Sequence, residues 1–385
     1  MVRDTDLTIL LPIKGNVCFT WRFMAWAEHV RLPFALLVAD GSEGDETRNM
    51  LSDPGRFPHV RYGYVRHAPD ADLPRYYAKM ADSLTHISTP YVVVSCNDDF
   101  HLPGGLRAAM ALLDGNPAAV AAGGDMQDFA VAPRPDLGAF SNVYGKMELQ
   151  ERLFNSVGNA EPSAKARLET FIRQTFNTCL WTAVHRTSNL REIYSTLRTL
   201  SPGDIFFADH LILFLTLASG TTLRTAAPFY LHQANPHQST GGTLLQSYPT
   251  QVHWLKRPGW KDDFEQIVET VAQAIAQQDG LGFEEAREYF RWEYSARIGT
   301  TIIHEATGTV AAQQAVVHAA MLASQDFQAI MDHVATPPPL PEELTQLHAA
   351  MTRKPGALRR LRHRINQHGY NALVNVESLC RRLRS

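Results

Sequence analysis

The sequence predicts an α/β protein: a mostly parallel sheet with flanking helices, followed by a C-terminal helical region. Three observations carry this. Short β-rich runs alternate with helix-length patterns through the first 125 residues, the signature of βαβ units with right-handed crossovers. Beyond residue 260 the apolar residues recur instead at the 3.6-residue helical period. The chain has 385 residues, a length that suits about two domains.

Taken in order, Leu7 to Leu11 is an apolar strand, Cys18 to Val30 has helical spacing, and Phe34 to Ala39 is a second strand. Val60 to Val65 is a weaker strand, Arg75 to Ile87 a helix, and Tyr91 to Ser95 a strongly β-branched run. Gly104 to Leu113 is helical and Ala118 to Ala122 apolar. Ligands of such sheets gather at the carboxyl ends of the strands, which directs attention to the residues just after Leu11, Ala39, Ser95 and Ala122. A further strand is expected near Thr178 to Val184. A helix is expected from about Pro202, with Ser201 as N-cap and Asp204 in the first turn.

Residues 235–259 are rich in Gly, Pro, Ser and Thr and read as a loop or lid ending in a boundary. Phe264, Ile267, Val268, Val271 and Ile275 then mark one helix, and Phe283, Ala286, Phe290 and Tyr294 another. Pro337, Pro338, Pro339 and Pro341 interrupt the pattern before a last helical tail. The expected divisions are 1–250, 251–352 and 353–385.

Composition excludes several classes. With 45% hydrophobic and 19% charged residues the chain is neither disordered nor of low complexity. A net charge of -3 gives no global call for nucleic acid. That balance hides an asymmetry, because residues 353–385 hold nine basic residues against Glu377 alone. Cys18, Cys96, Cys179 and Cys380 form no C-x-x-C pair, which argues against a disulfide framework or zinc site and for a reducing compartment. The first apolar run is short and broken by Pro12, so it reads as a strand and not a signal peptide. Nothing approaches the roughly 20 apolar residues of a membrane span, and the expected location is the cytoplasm.

The chemistry concentrates after the fourth strand. Tyr91-Val92-Val93-Val94-Ser95 runs into Cys96-Asn97-Asp98-Asp99-Phe100-His101-Leu102-Pro103, so two carboxylates leave the sheet at its ligand-binding edge. Such a pair suits Mg²⁺ or Mn²⁺ bridging a nucleotide diphosphate. The plainer alternative is that Asp98 and Asp99 end a strand and cap the helix near Pro103. Together with Leu7-Thr8-Ile9-Leu10-Leu11-Pro12 and Leu36-Leu37-Val38-Ala39-Asp40-Gly41-Ser42, the segment resembles glycosyltransferases of the GT-A class, close to the family 2 inverting sugar transferases. The resemblance covers roughly residues 6–235.

It implies a nucleotide-sugar donor, a glycan or lipid-linked acceptor and a divalent metal, Mn²⁺ or Mg²⁺. In that group an acid ending the second strand contacts the base, a role that only Asp40 can take here. The group's Asp-x-Asp-Asp motif aligns Cys96 with its first acid, Asn97 with the variable position and Asp98 with the metal-binding one. Asp98 and Asp99 would then hold the metal, while Asn97 meets the ribose or a metal-bound water. Pro12, just after Leu11, belongs to the same donor-binding edge. Lys79 would meet the diphosphate, or else lie on a solvated helix face. Gly124 and Asp125 would approach the donor sugar, or else form a simple turn.

An inverting transferase also needs a base. The resemblance places it at an acid beginning a helix after the acceptor segment, and Asp209, set among apolar neighbours that would raise its pKa, fits better than Asp204. His210 would orient it or be structural, and a late histidine, His232, would be a third metal ligand. His237 and residues 235–242 have the composition of a lid. Leu358, Leu361, Ile365, Leu373, Val376, Leu379 and Leu383 give the tail apolar faces on basic helices. These suit an anionic membrane surface, packing on the body, or self-association. Two other readings stand beside the transferase. One is a catalytically silent glycan-binding scaffold, which the missing first acid favours. The other is a nucleotidyltransferase, against which the single glycine of Leu11-Pro12-Ile13-Lys14-Gly15-Asn16 argues.

Overall fold

The computed structural model describes residues 2–53, 55–154, 158–175, 180–234, 248, 250–307 and 319–345. Cys179, His237, Cys380, the lid segment 235–242 and the basic tail 353–385 lie outside them. Two compact units are formed, one of residues 1–133 with 142–338 and one of 134–141 with 339–385. In the smaller unit Arg134 pairs with Asp136 at 2.6 Å and donates its backbone N–H to the Ser141 carbonyl at 2.8 Å.

The larger unit is an α/β structure built on a seven-stranded sheet. Its strand order is β10 (Thr221–Arg224), β6 (Ala119–Gly123), β9 (Val184–Arg186), β4 (Tyr91–Val94), β1 (Leu7–Ile13), β2 (Ala35–Asp40) and β3 (Tyr62–Arg66). β9 runs antiparallel to both of its neighbours, and the other pairs are parallel. The first four strands are those the sequence predicts, within a few residues at each end. The intervening helices also form as expected: α1 (Val17–His29), α3 (Leu73–Thr85) and α4 (Pro103–Gly115), with a short α2 (Glu46–Leu51) after β2. Their apolar runs explain the agreement, because strands buried on both faces read as continuous hydrophobic stretches.

A second, four-stranded sheet was not expected. It orders β5 (Phe100–His101), β11 (Tyr230–Gln233), β7 (Met126–Val131) and β8 (Met147–Phe154). Its strands bury polar residues, Gln127, Asp128 and Gln233 among them, so no apolar run announces them. It also takes up the end of the carboxylate segment, since β5 pairs antiparallel with β11.

The predicted start of the helix near Pro202 is corrected. Helix α6 (Thr187–Leu200) ends at Ser201, which takes a left-handed conformation with φ 52°. Helix α7 (Ile205–Ser219) begins four residues later, and its N-cap is Asp204, whose Oδ1 accepts the Phe207 N–H at 2.9 Å. Ser201 is already the C-cap of α6, so Asp204, directly before Ile205, takes the cap of the next helix. Likewise the segment expected as a strand at 178–184 is a 3₁₀ turn over Leu180–Thr182, and the strand begins at Val184.

Helix α7 is buried around most of its circumference, including Leu211, Ile212, Leu213, Phe214, Leu215 and Leu217. A helix of that kind needs cover on every side. Helices α5 (Ala164–Thr170) and α6 supply part of it, and α8 (Gln251–Leu255), α9 (Trp260–Asp279) and α10 (Phe283–Thr307) supply the rest. Phe207 meets Trp254 and Trp260, and Phe214 meets Phe290 and Tyr294. Residues 260–298 therefore share a core with α7 within the larger unit. Beyond them α11 (Ala319–Leu322) and α12 (Gln325–Ala335) complete the described helices of this unit.

Candidate functional site

The carboxylate turn leaves β4 as predicted. The Ser95 N–H still bonds to Leu10 in β1 at 3.0 Å, and the chain then turns through Cys96, Asn97, Asp98 and Asp99 into β5. Asp99 is buried and serves the fold: its Oδ2 accepts the Tyr230 hydroxyl at 2.5 Å and its Oδ1 the Gln233 N–H at 2.7 Å. Asn97 donates to Thr20 Oγ1 at 2.9 Å, tying the turn to α1. Among the described residues no side chain hydrogen-bonds the carboxylate of the half-buried Asp98. Burial and the neighbouring Asp99 push it well above the usual carboxylate range, against the pull of Arg22.

Cys96 Sγ and carboxylate oxygens of Asp98 and Asp99 lie within 4.8 Å of one another. This donor set fits a hard divalent ion: Asp98 offers a carboxylate, Asp99 a second that its two hydrogen bonds hold in place, and phosphate oxygens would complete the shell. His232 is outside that trio. Directly across from Asp128 in the β7–β11 pair, it joins that carboxylate through Nδ1 at 2.9 Å. Burial would lower its pKa, but Asp99, Asp128 and Asp98 outweigh this and raise it to about 9. A carboxylate on Nδ1 is the arrangement that orients a histidine whose other nitrogen meets a metal.

The ends of β1, β2 and β3 carry a second polar cluster, and it is closed. Asp40 is fully buried and accepts the Ser42 N–H at 2.8 Å, the Tyr64 hydroxyl at 2.6 Å and Arg66 at 2.7 Å. Burial alone would raise its pKa, but these bonds hold it below the ordinary value. Ser42 in turn accepts the Gly15 N–H at 2.7 Å, and Arg66 also reaches the Ser42 carbonyl at 2.6 Å. Lys79 is on no solvated face: it is buried, paired with Asp70 and bonded to the Ile13 carbonyl at 3.0 Å. The Asp70 carboxylate fills the space a side chain at Gly41 would need, 2.4 Å from an added Cβ. Pro12 is the penultimate residue of β1, beside Ala39.

Gly124 and Asp125 are occupied by the fold. An added Cβ at Gly124 would lie 2.4 Å from Phe229 Cβ, so the glycine admits that ring. Asp125 makes a two-point ion pair with Arg224 at 2.7 and 3.2 Å.

Asp209 lies in the second turn of α7, half-buried. Among the described residues its carboxylate has no hydrogen-bond or ion-pair partner, and burial, helped by Asp204, pushes it up to about 7. Burial raises the phenols of Tyr76 and Tyr194, and both also lie in the field of Asp209 and Cys96. The competitor Asp204 is spent: besides capping α7 it accepts Trp254 Nε1 at 3.0 Å and lies 2.8 Å from Arg257 Nε. His210 bonds the Tyr294 hydroxyl at 2.6 Å and burial lowers it to about 3, a structural histidine.

Several of these partners escape a sequence reading. Tyr76, Asp70, Asp128 and Tyr230 carry no motif. Arg22 has one weak signal, a charge inside the apolar helical stretch Trp21-Arg22-Phe23.

No family model matches the chain, and no curated protein matches it. Among solved structures it is similar to S. aureus TarS residues 1–349 in complex with UDP-GlcNAc, at 12% identity over 85% of this chain and 82% of that one, with a TM-score of 0.46. The same protein in complex with UDP gives 10% identity, 80% and 76% coverage and a TM-score of 0.44. The mannosyltransferase PcManGT from Pyrobaculum calidifontis, in complex with GDP-Man and Mn²⁺, gives 13%, 86% of each chain and 0.37.

Proposed function

We propose that this chain is a GT-A glycosyltransferase that moves a sugar from a nucleotide-diphosphate donor to a hydroxyl of a glycan or glycolipid, with inversion. The observation that carries the reading is Asp209, a half-buried carboxylate with its pKa raised to about 7 and no partner among the described residues. A general base must take a proton near neutral pH, and an acid so placed is tuned for that. Its carboxylate removes the proton of the acceptor hydroxyl while that oxygen attacks the anomeric carbon. The bond from that carbon to the diphosphate oxygen breaks, and the diphosphate leaves with the electron pair. Asp98, with Asp99 and Cys96 beside it and His232 held by Asp128, would hold Mn²⁺ or Mg²⁺. Bound there, the ion supplies positive charge to the leaving diphosphate.

The closed cluster at Asp40 supports a different role from the expected one. Its carboxylate shapes the Gly41-Ser42 loop and aims Arg66, and the nucleotide rests against that loop. Residues 353–385 fit docking to anionic lipid, where lipid-linked acceptors lie. No described helix is long and apolar enough to cross a membrane.

Asp209→Asn tests the reading. Transfer to an acceptor, or hydrolysis of the donor, should be lost while the nucleotide still raises the melting temperature in the presence of Mn²⁺; unchanged turnover removes Asp209 from the chemistry. Cys96 in place of an acid favours one second reading, a silent sugar-binding scaffold. Nucleotide binding without any transfer or donor hydrolysis would support it.

A further inference from the structure

Arg22 has no part in the chemistry above, yet it is fully buried on α1 beside the carboxylate turn. Its guanidinium donates to the Asp98 carbonyl at 2.6 Å, to Gln233 Oε1 at 2.7 Å and to the Val143 carbonyl at 2.9 Å. It lies over the rings of Phe100 and Phe19, at 4.8 and 5.1 Å from their centres. All three acceptors are neutral. A buried cation is costly unless an opposite charge is close, and the carboxylates in its field are Asp98 and Asp99. Gln233 links it to the second of them, since the residue that accepts from Arg22 also gives its own N–H to Asp99 Oδ1 at 2.7 Å. One guanidinium thus fixes the backbone of Asp98 directly and the side chain of Asp99 through one intermediary.

We propose that Arg22 is a positioning residue that serves as the resident cation of the carboxylate turn, holding it in shape without metal and admitting a divalent ion only together with a nucleotide diphosphate. This rests on the metal-assisted reading above. With His232 and Asp128 paired to each other, Asp98 and Asp99 balanced by Arg22 leave one net negative charge, and the residue at the place of a third acid is the thiol Cys96. A divalent ion alone would leave the site positive beside a cation that cannot move. Diphosphate oxygens supply the missing negative charge and ligands, as hard cations at nucleotide sites ordinarily require. Arg22 therefore lowers affinity for the free ion and leaves affinity for the ion–nucleotide pair.

The test is a titration of the full chain with Mn²⁺, following free Mn²⁺ by electron paramagnetic resonance, with no nucleotide and with UDP or GDP. Wild type should bind Mn²⁺ at least about tenfold more tightly with the accepted nucleotide than alone. Without nucleotide, Arg22→Gln should bind Mn²⁺ at least about tenfold more tightly than wild type, because the opposing charge is gone. Arg22→Lys keeps the charge and should stay near the wild-type value. Unchanged or weaker Mn²⁺ binding by folded Arg22→Gln overturns the proposal, and so does a lysine variant that behaves like the glutamine one. If Arg22→Gln gives no cooperative melt, equal Mn²⁺ affinity of wild type with and without nucleotide overturns it. Failure of every nucleotide to bind, with any metal, counts against the transferase instead, and the nucleotide-free comparison still decides on Arg22.

Discussion

The ends of β1 to β3 and the ends of β4 and α7 both gather acids where an open sheet offers its binding edge, but they use them differently. At the first, Asp40 has three donors and Asp70 has Lys79. At the second, Asp98 and Asp209 are raised by burial and have no cationic side chain bonded to their carboxylates. The contrast recurs within one helix, where Asp204 has a backbone amide, an indole and a guanidinium while Asp209, five residues on, has no partner among the described residues. Burying an acid without a partner costs stability. The closed cluster spends its acids on shape, whereas the proposed function gives Asp98 and Asp209 to the reaction.

The largest effects should separate the two acids of α7. Asp209→Asn is expected to lower transfer by about 10²–10⁴-fold, the range of a lost general base, with the nucleotide-induced rise in melting temperature intact. Asp204→Ala should do the reverse. It strips the helix cap and leaves Arg257 with less counter-charge, at a cost of about 3–5 kcal/mol, while folded protein retains turnover. Equal loss of turnover in both variants at equal stability would erase the distinction.

Lys79→Met breaks the comparison at the closed cluster. Asp70 would be left buried without its cation, which costs about 3–5 kcal/mol; a denaturant midpoint within error of wild type would show that the pair is not structural. At the open cluster the matching change is milder for the fold, because Asp99 and three neutral acceptors still face Arg22. Asp98→Ala should cost less stability than Lys79→Met but remove the extra thermal shift that Mn²⁺ gives to a bound nucleotide. A metal-dependent shift that persists would take Asp98 out of the metal site.

Much of the open cluster was legible in the sequence, and little of what holds it. Asp98 and Asp99 follow the apolar run Tyr91 to Val94, so the strand pattern places them, while Asp209 stands among apolar helix residues and was singled out by the resemblance. Their supports come from far along the chain. Arg22 reaches Asp98 across 76 positions and Gln233 across 211, and no local pattern encodes such a pair. The second sheet was hidden for a related reason, since Met126-Gln127-Asp128-Phe129 buries an amide and an acid that in isolation read as surface. At Gly124 and Asp125 the residue types were right for ligand contact, but Phe229 and Arg224 claim them first. Lys79 was indistinguishable from a surface lysine until Asp70, nine residues earlier, folded against it.

The smallest expected effect has the most distinctive sign. Asp209 has a folded pKa of about 7 against an ordinary 3.8, so the fold favours its protonated form. Below about pH 4 the group is protonated whether folded or unfolded and costs nothing. As pH rises toward 7 the unfolded chain ionises first, and native stability falls; above 7 the whole penalty is present. Asparagine never ionises. Asp209→Asn should therefore be more stable than wild type at pH 8, by about 1–2 kcal/mol after allowance for its partial exposure, and indistinguishable from it at pH 4. Transfer by wild type should follow the same ionisation in the opposite sense, rising with pH to a plateau above about 7. A gain that is equal at both pH values would mean that Asp209 titrates normally in the native state, and the contrast between open and closed acids would then lose its open member.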